Sequence, residues 1–235
     1  TACGYMLVKW NPFKNEKSKT LYHRILSAYT WSVMYIMGNV KKKIINPRNE
    51  KFSKPAVVIA NHQSFLYILV MTMLHPQVIL LTNEWVWNSP LFGKLVKMAG
   101  YYRVADGIEN GMAVLEEKVK AGYSIVLFPE GTRSADARIK RFHKGAFFLA
   151  EKLQLDILPV VIHGTAYTMS KGDFLLKDGH VTLKYLPRIS PENREYGGNY
   201  TERAKNIGKY FGEQYANLKT AEKQPLYCRE RLIYT

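Results

Sequence analysis

The sequence predicts an α/β domain with a mixed, largely parallel sheet flanked by helices, and two patterns carry that expectation. Short apolar runs rich in β-branched residues recur at 56–60, 78–81, 124–128 and 157–162. Each has the length and continuity of a strand buried on both faces. Between them lie segments whose apolar residues repeat at helical spacing, and strands alternating with helices imply helices packed on a parallel sheet.

Near the start, Tyr22, Ile25, Leu26, Tyr29, Val33, Ile36, Met37 and Val40 form one helical stripe, with Trp31 and Tyr35 beside it and Lys41, Lys42 and Lys43 just beyond. This N-terminal amphipathic helix suits two settings. It can lie in a membrane interface, or it can pack on the domain's own core with a solvated lysine run behind it. Pro55 then introduces the strand at 56–60, which ends at Asn61-His62. Ser64 is placed to cap a helix through Phe65, Leu66, Ile68, Leu69 and Met71 that stops near His75-Pro76. After the strand at 78–81, Ser89 as cap and Pro90 at the first helical position start another helix, which ends near Gly100.

Met112, Leu115 and Val119 share one face of a helix over 111–120, closed by Gly122. The strand at 124–128 runs into Pro129-Glu130-Gly131-Thr132-Arg133. Residues 144–153 have helical spacing, and the strand at 157–162 ends at His163-Gly164. Residues 181–185 alternate as a half-wet strand, and Ala204, Ile207, Phe211, Tyr215 and Leu218 mark a last amphipathic helix. Ligands of such sheets gather at the carboxyl ends of strands, so the segments at Asn61-His62, Glu130 to Arg133 and His163-Gly164 are expected to converge.

Composition narrows the class. With 235 residues, 47% apolar and 23% charged, the chain is long enough for one large folded domain and is not a disordered one. Thirty-four Lys and Arg against nineteen Asp and Glu leave +15, a field that attracts phosphates, anionic lipid or nucleic acid. Cys3 and Cys228 stand near opposite ends without metal-ligand or Cys-x-x-Cys spacing, and the six histidines form no His-x-x-x-His pair, so no metal is expected. No run of 18 apolar residues occurs. Residues 1–8 are largely apolar and lead into Lys9-Trp10, an aromatic and basic pair typical of a membrane boundary, which suggests the end of an anchor.

His62 at a strand-to-helix junction is by itself more often structural than catalytic. The run Phe128-Pro129-Glu130-Gly131-Thr132-Arg133-Ser134 shifts that balance, because it sets a carboxylate, a permissive glycine, a hydroxyl and a guanidinium at a strand mouth, a set suited to an anionic ligand. Asn61-His62 with Ser64, Tyr102-Arg103-Val104, this run from Phe128 to Ser134, Phe142-His143-Lys144-Gly145-Ala146 and Leu158-Pro159-Val160 resemble, in order, the sequence blocks of the lysophospholipid acyltransferases of glycerolipid synthesis. The resemblance covers roughly residues 50–190. It divides the chain into a membrane-proximal segment with its amphipathic helix (1–50), an acyltransferase domain (51–220) and a tail (221–235).

What the resemblance implies is transfer of a fatty acyl group from acyl-CoA or acyl carrier protein to a hydroxyl of a lysophospholipid or similar glycerol phosphate, at the cytoplasmic face of a membrane. His62 is then the general base, since an imidazole titrating near working pH suits that proton transfer. Arg103 and Arg133 hold the acceptor phosphate, with Lys144 a further candidate, and Gly131 lets backbone approach it. Glu130 orients the arginines or a glycerol hydroxyl, and Asn61, Ser64 and Thr132 complete the expected substrate-binding set. No bound cofactor is implied beyond the thioester co-substrate, and the expected partners are anionic membrane lipid, the acyl donor and acyl carrier protein.

One position departs from the family pattern Asn-His-x-x-x-x-Asp: counting from His62, the aspartate falls where this chain has Tyr67. The aspartate fixes the histidine tautomer and stabilises imidazolium, as in the serine protease triad. Five residues turn about 140° on a regular helix, so the pair can meet only if His62 precedes the helix and folds back onto it. A pseudoenzyme, an isolated substitution in an active sequence, and rescue by Asp106 or Glu130 are all compatible with the sequence. A catalytically silent lipid- or carrier-binding module is the rival reading. Nucleic-acid binding, suggested by +15 and sixteen tyrosines, lacks any supporting motif, so no nucleic-acid partner is expected.

Overall fold

The computed structural model describes residues 16–64, 66–90, 92–132, 138–169 and 177–222. Its elements in chain order are α1 (Glu16–Ile36), β1 (Val40–Ile45), β2 (Ala56–Ala60), α2 (Tyr67–Leu74), β3 (Val78–Thr82), α3 (Glu84–Trp87), α4 (Gly93–Met98) and β4 (Tyr102–Arg103). A 3-10 turn (Val104–Asp106) follows, then α5 (Met112–Lys120), β5 (Ser124–Leu127), α6 (Gly145–Lys152), β6 (Asp156–His163), α7 (Thr165–Thr168), β7 (Gly179–Tyr185) and α8 (Tyr200–Glu222). The seven strands make one sheet in the order β1-β7-β6-β2-β5-β3-β4. Every neighbouring pair is parallel except β6 with β7.

Strand side chains alternate between faces, and the sheet therefore feeds two separate cores. Ala56, Val58 and Ala60 of β2 join Tyr22, Leu26, Met34, Tyr67 and Met71 from α1 and α2 on one face. Val57 and Ile59 join Leu115, Phe147, Leu149, Ile207, Phe211 and Tyr215 from α5, α6 and α8 on the other. A central strand clad on both sides must be apolar throughout, which is why β2, β3 and β5 are buried along their whole length.

The N-terminal region differs from the sequence reading in three ways. First, the stripe on α1 is divided: Tyr22 and Leu26 are buried, together with Met34 from outside the stripe, whereas Ile25, Tyr29 and Ile36 face outward. Core packing and an exposed apolar face thus coexist on one helix, held down by the Tyr22 hydroxyl donating to the Leu95 carbonyl (3.2 Å) and His23 Nε2 to that of Ala99 (2.8 Å). Second, α1 stops at Ile36 and Val40 begins β1. Third, Lys41, Lys42 and Lys43 are part of that strand, at the sheet's edge against β7, with Lys41 and Lys43 exposed to solvent. Lysines at an edge discourage further strand pairing, so a charge-rich strand is tolerated there.

Two helices also start later than expected. The helix after Ser89-Pro90 begins at Gly93, although Ser89 Oγ does accept the Phe92 amide at 3.3 Å. Ser64 is not the cap of α2, which starts at Tyr67 behind Leu66.

Candidate active site at the strand ends

The carboxyl ends of β5, β2 and β6, adjacent in the sheet, are tied together by two side chains. Asn61, buried just past β2, donates through Nδ2 to the Ile162 carbonyl and accepts the Ile162 N–H on Oδ1, both at 2.7 Å. It replaces, across to β6, the ladder bonds that a strand would have made. Glu130, buried just past β5, accepts the His62 N–H on Oε1 at 2.7 Å and the Lys140 N–H on Oε2 at 2.8 Å. A carboxylate this deep is tolerated because both oxygens meet main-chain donors, and such charge-assisted bonds are about twice as strong as neutral ones. The sequence reading had Glu130 orienting arginines or a glycerol hydroxyl; in the structure its two oxygens hold the backbone of the site at these two N–H groups.

His62 sits before α2 and the chain folds back, so its imidazole lies against the first helical residue. The His62 and Tyr67 rings have centroids 4.2 Å apart at 47°. The Phe128 ring completes the cluster, edge to face with His62 at 5.2 Å and with Tyr67 at 4.3 Å. Tyr67 thus meets His62 ring to ring, in a pocket with aromatic walls.

Ser64 is fully buried and its Oγ donates to the Met169 carbonyl at 2.7 Å, an arrangement that braces the loop. Gly131 adopts φ +69°, the left-handed region that favours glycine, and a Cβ there would crowd the His143 ring at 3.2 Å. Exposed Thr132 accepts on Oγ1 from Lys140 Nζ at 3.1 Å. Lys144, also exposed, holds its ammonium over the Tyr200 ring at 5.8 Å. Arg133 lies outside the described residues.

Arg103 is placed differently from the expectation of an open phosphate clamp. It stands on edge strand β4, three strand spacings of about 4.8 Å each from β2. Its Nε donates to Asp106 Oδ1 at 2.9 Å, its Nη2 bonds the same oxygen, and its Nη1 reaches Glu84 Oε1 at 3.3 Å. Asp106, a candidate substitute for the missing aspartate, is therefore engaged with Arg103, and this pairing raises the guanidinium's pKa further. His163 does not join His62 at the site mouth. It is fully buried beside Tyr167 and Tyr215, where burial pushes its pKa below the usual range.

Residues outside the sequence-derived set also build the site. Phe128 walls the imidazole, His143 crowds Gly131, and Tyr215 reaches from α8 to donate to Gln63 Oε1 at 3.1 Å, next to His62. Phe128 and His143 stand inside the recognised blocks, so their positions were visible there. Tyr215 carried no signal beyond its place on an apolar helix face.

A family model described as Acyltransferase matches residues 39–163, more than half of the chain. The chain belongs to the acyltransferase family. Among its relatives, the 1-acyl-sn-glycerol-3-phosphate acyltransferase of Limnanthes douglasii is 31% identical over 96% of this chain and 78% of that protein. The 1-acyl-sn-glycerol-3-phosphate acyltransferase of Cocos nucifera is 30% identical over 81% of this chain, which spans 61% of the coconut protein's length. The crystal structure of the 1-acyl-sn-glycerophosphate (LPA) acyltransferase PlsC from Thermotoga maritima shares the fold, with a TM-score of 0.75 at 21% identity over 93% of this chain and 88% of that one.

The Asn61 geometry has a consequence in the absence of any substrate. Asn61→Ala leaves both backbone groups of Ile162 without their amide partner, and unfolding by urea should show a loss of about 1–3 kcal/mol. Unchanged stability would mean that this amide serves a ligand and not the framework.

Proposed function

We propose that this domain transfers a fatty acyl group from a thioester donor to a free hydroxyl of a lysophosphatidic-acid-like glycerol phosphate, with His62 as general base. The observation that carries this reading is His62, clamped through its own backbone by Glu130 at the joined strand ends of an acyltransferase-family fold. The names of the relatives supply the acceptor class.

The acceptor oxygen attacks the thioester carbonyl carbon while the imidazole takes its proton. The tetrahedral intermediate collapses, the C–S bond breaks, and the departing thiolate recovers the proton from imidazolium. The products are an ester and a free thiol, with His62 restored. Gly131 and Thr132 form the exposed rim over which the acceptor phosphate approaches. We assign that phosphate to Arg133 and Lys144 ahead of Arg103, whose guanidinium already serves two carboxylates. Asn61, Ser64 and Glu130 act by holding the loop. Either acyl-CoA or acyl carrier protein meets the chemical requirement for a donor.

Tyr67 favours a second reading, a domain that binds lipid or donor without turnover, because a neutral phenol brings no negative charge to imidazolium. Mass spectrometry of products from lysophosphatidic acid and acyl-CoA separates the two. Diacylated phosphate should accumulate with the wild type and fall to background with His62→Ala, whose fold should survive loss of a loop side chain. Substrate binding by the wild type with no product would establish the silent reading, and normal turnover by His62→Ala would remove the base assignment.

The same reading places the domain at the cytoplasmic face of a membrane, peripheral or tethered by sequence outside this chain. Among the described residues no helix is long and apolar enough to cross a bilayer. Support comes from the outer face of α1, where Leu21, Ile25, Tyr29 and Ile36 are exposed and the Trp31 and Tyr35 rings stack at 4.1 Å. Lys42 stands 5.5 Å from the Tyr35 ring, an aromatic and basic pairing suited to the headgroup region. In co-sedimentation with vesicles rich in phosphatidylglycerol, the chain should pellet. Ile25→Glu with Ile36→Glu should weaken binding roughly tenfold or more, since each change sets a charge where an apolar contact was. Equal pelleting of both proteins would move the contact elsewhere.

A further inference from the structure

His62 is the second of four consecutive buried residues, and each is tied to a different part of the fold. Asn61 bonds Ile162, the His62 N–H bonds Glu130, Ser64 bonds the Met169 carbonyl, and Gln63 accepts from the Tyr215 hydroxyl at 3.1 Å. The ties of Asn61, His62 and Ser64 run to strand ends or to the end of the short α7 beside them. That of Gln63 runs to α8, 152 positions along the chain. Consecutive side chains of an extended segment point to opposite faces. The His62 ring meets Tyr67, which belongs to the core under α1 and α2, whereas Gln63 meets Tyr215 of the core under α5, α6 and α8. Pinning Gln63 from the far face therefore resists rotation of the backbone from which the imidazole projects.

Packing alone does not call for a hydroxyl at position 215. Phe211, one turn earlier on the same helix face, fills the same core without one. The buried Tyr215 ring lies against fully buried His163, with ring centroids 5.7 Å apart, so its hydroxyl is held in one place. A buried hydroxyl costs stability unless it is bonded, and this one bonds the residue next to the base. The helix can carry such a contact because its inner stripe, Ala204, Ile207, Phe211 and Leu218, is buried against the sheet. We infer that Tyr215 and Gln63 are positioning residues for His62, a brace through which the last helix sets the direction of the imidazole. The inference rests on the acyl-transfer reading for what that imidazole does. Misplacing a reacting group by about 1 Å can cost roughly a hundredfold in rate, and with Ser64 still holding the loop the loss of this brace should cost roughly tenfold.

Tyr215→Phe removes one oxygen and keeps the packing ring, and thermal melts check that the fold is kept. In turnover of lysophosphatidic acid with acyl-CoA, kcat should fall roughly tenfold while both KM values stay, and Gln63→Met should lower kcat in the same way. Because the two act through one bond, the double variant should be no slower than Gln63→Met, and effects that multiply overturn the brace. A second readout needs no turnover. In NMR spectra of the whole chain with isotopically labelled histidine, the His62 signal is the one lost in His62→Ala. Tyr215→Phe should shift or broaden that signal and leave the signal of exposed His180 in place. Tyr210→Phe, which takes a hydroxyl from the same helix where it packs on Tyr196, should change neither. An unmoved His62 signal in Tyr215→Phe overturns the assignment, and so does a loss that falls on KM in place of kcat. A protein that forms no product, but whose His62 signal moves with Tyr215→Phe, keeps the brace and removes only the catalytic reading.

Discussion

A buried carboxylate holding two backbone N–H groups is the constraint from which the rest of the site follows. Glu130 fastens His62, two residues past β2, to the segment that returns toward α6, and it does so where Gly131 turns the chain at φ +69°. Removing the carboxylate would leave two backbone N–H groups without their acceptor, at about 1–3 kcal/mol for each that is buried, so the geometry around His62 is coupled to the stability of the whole strand-end region. Asn61 extends the same tie to β6. Three adjacent parallel strand ends become one rigid platform, with the imidazole against it and the cationic rim beyond.

The platform supplies position but not the full electrostatics. In the serine protease triad, losing the aspartate charge costs about 10⁴ in turnover, or about 5.5 kcal/mol of transition-state stabilisation. The Tyr67 ring, 4.2 Å from the imidazole, offers an aromatic face to the imidazolium that forms during transfer. Such an interaction is worth about 0.5–2 kcal/mol, so it offsets a minor part of that loss. Asp106 is not positioned as a substitute, since it is paired with Arg103, and both oxygens of Glu130 accept backbone amides.

The sheet was legible in the sequence wherever a strand is buried on both faces, because continuous apolar runs such as Ala56 to Ala60 have no other economical place. The edge was not. β1 consists of Val40, three lysines and two isoleucines, and its strand character comes from pairing with β7, a contact between residues about 140 positions apart. Blocks of chemistry-bearing residues were likewise legible, but the partner of each was not. Glu130 reads as a ligand-facing acid because a backbone acceptor leaves no trace in a sequence. Arg103 reads as a phosphate clamp until Glu84 and Asp106 are brought to it by α3 and the 3-10 turn. Tyr215 reads as core, and only the packing of α8 shows its hydroxyl on Gln63.

Whether a missing negative charge is what limits His62 is tested most directly by turnover of lysophosphatidic acid with acyl-CoA, comparing the wild type with Tyr67→Asp under one set of conditions, with thermal melts of both. A gain of roughly three orders of magnitude is expected, what remains of the triad-like loss after the ring's contribution, and it should vanish when His62→Ala is added. Equal turnover by two equally folded proteins would contradict it.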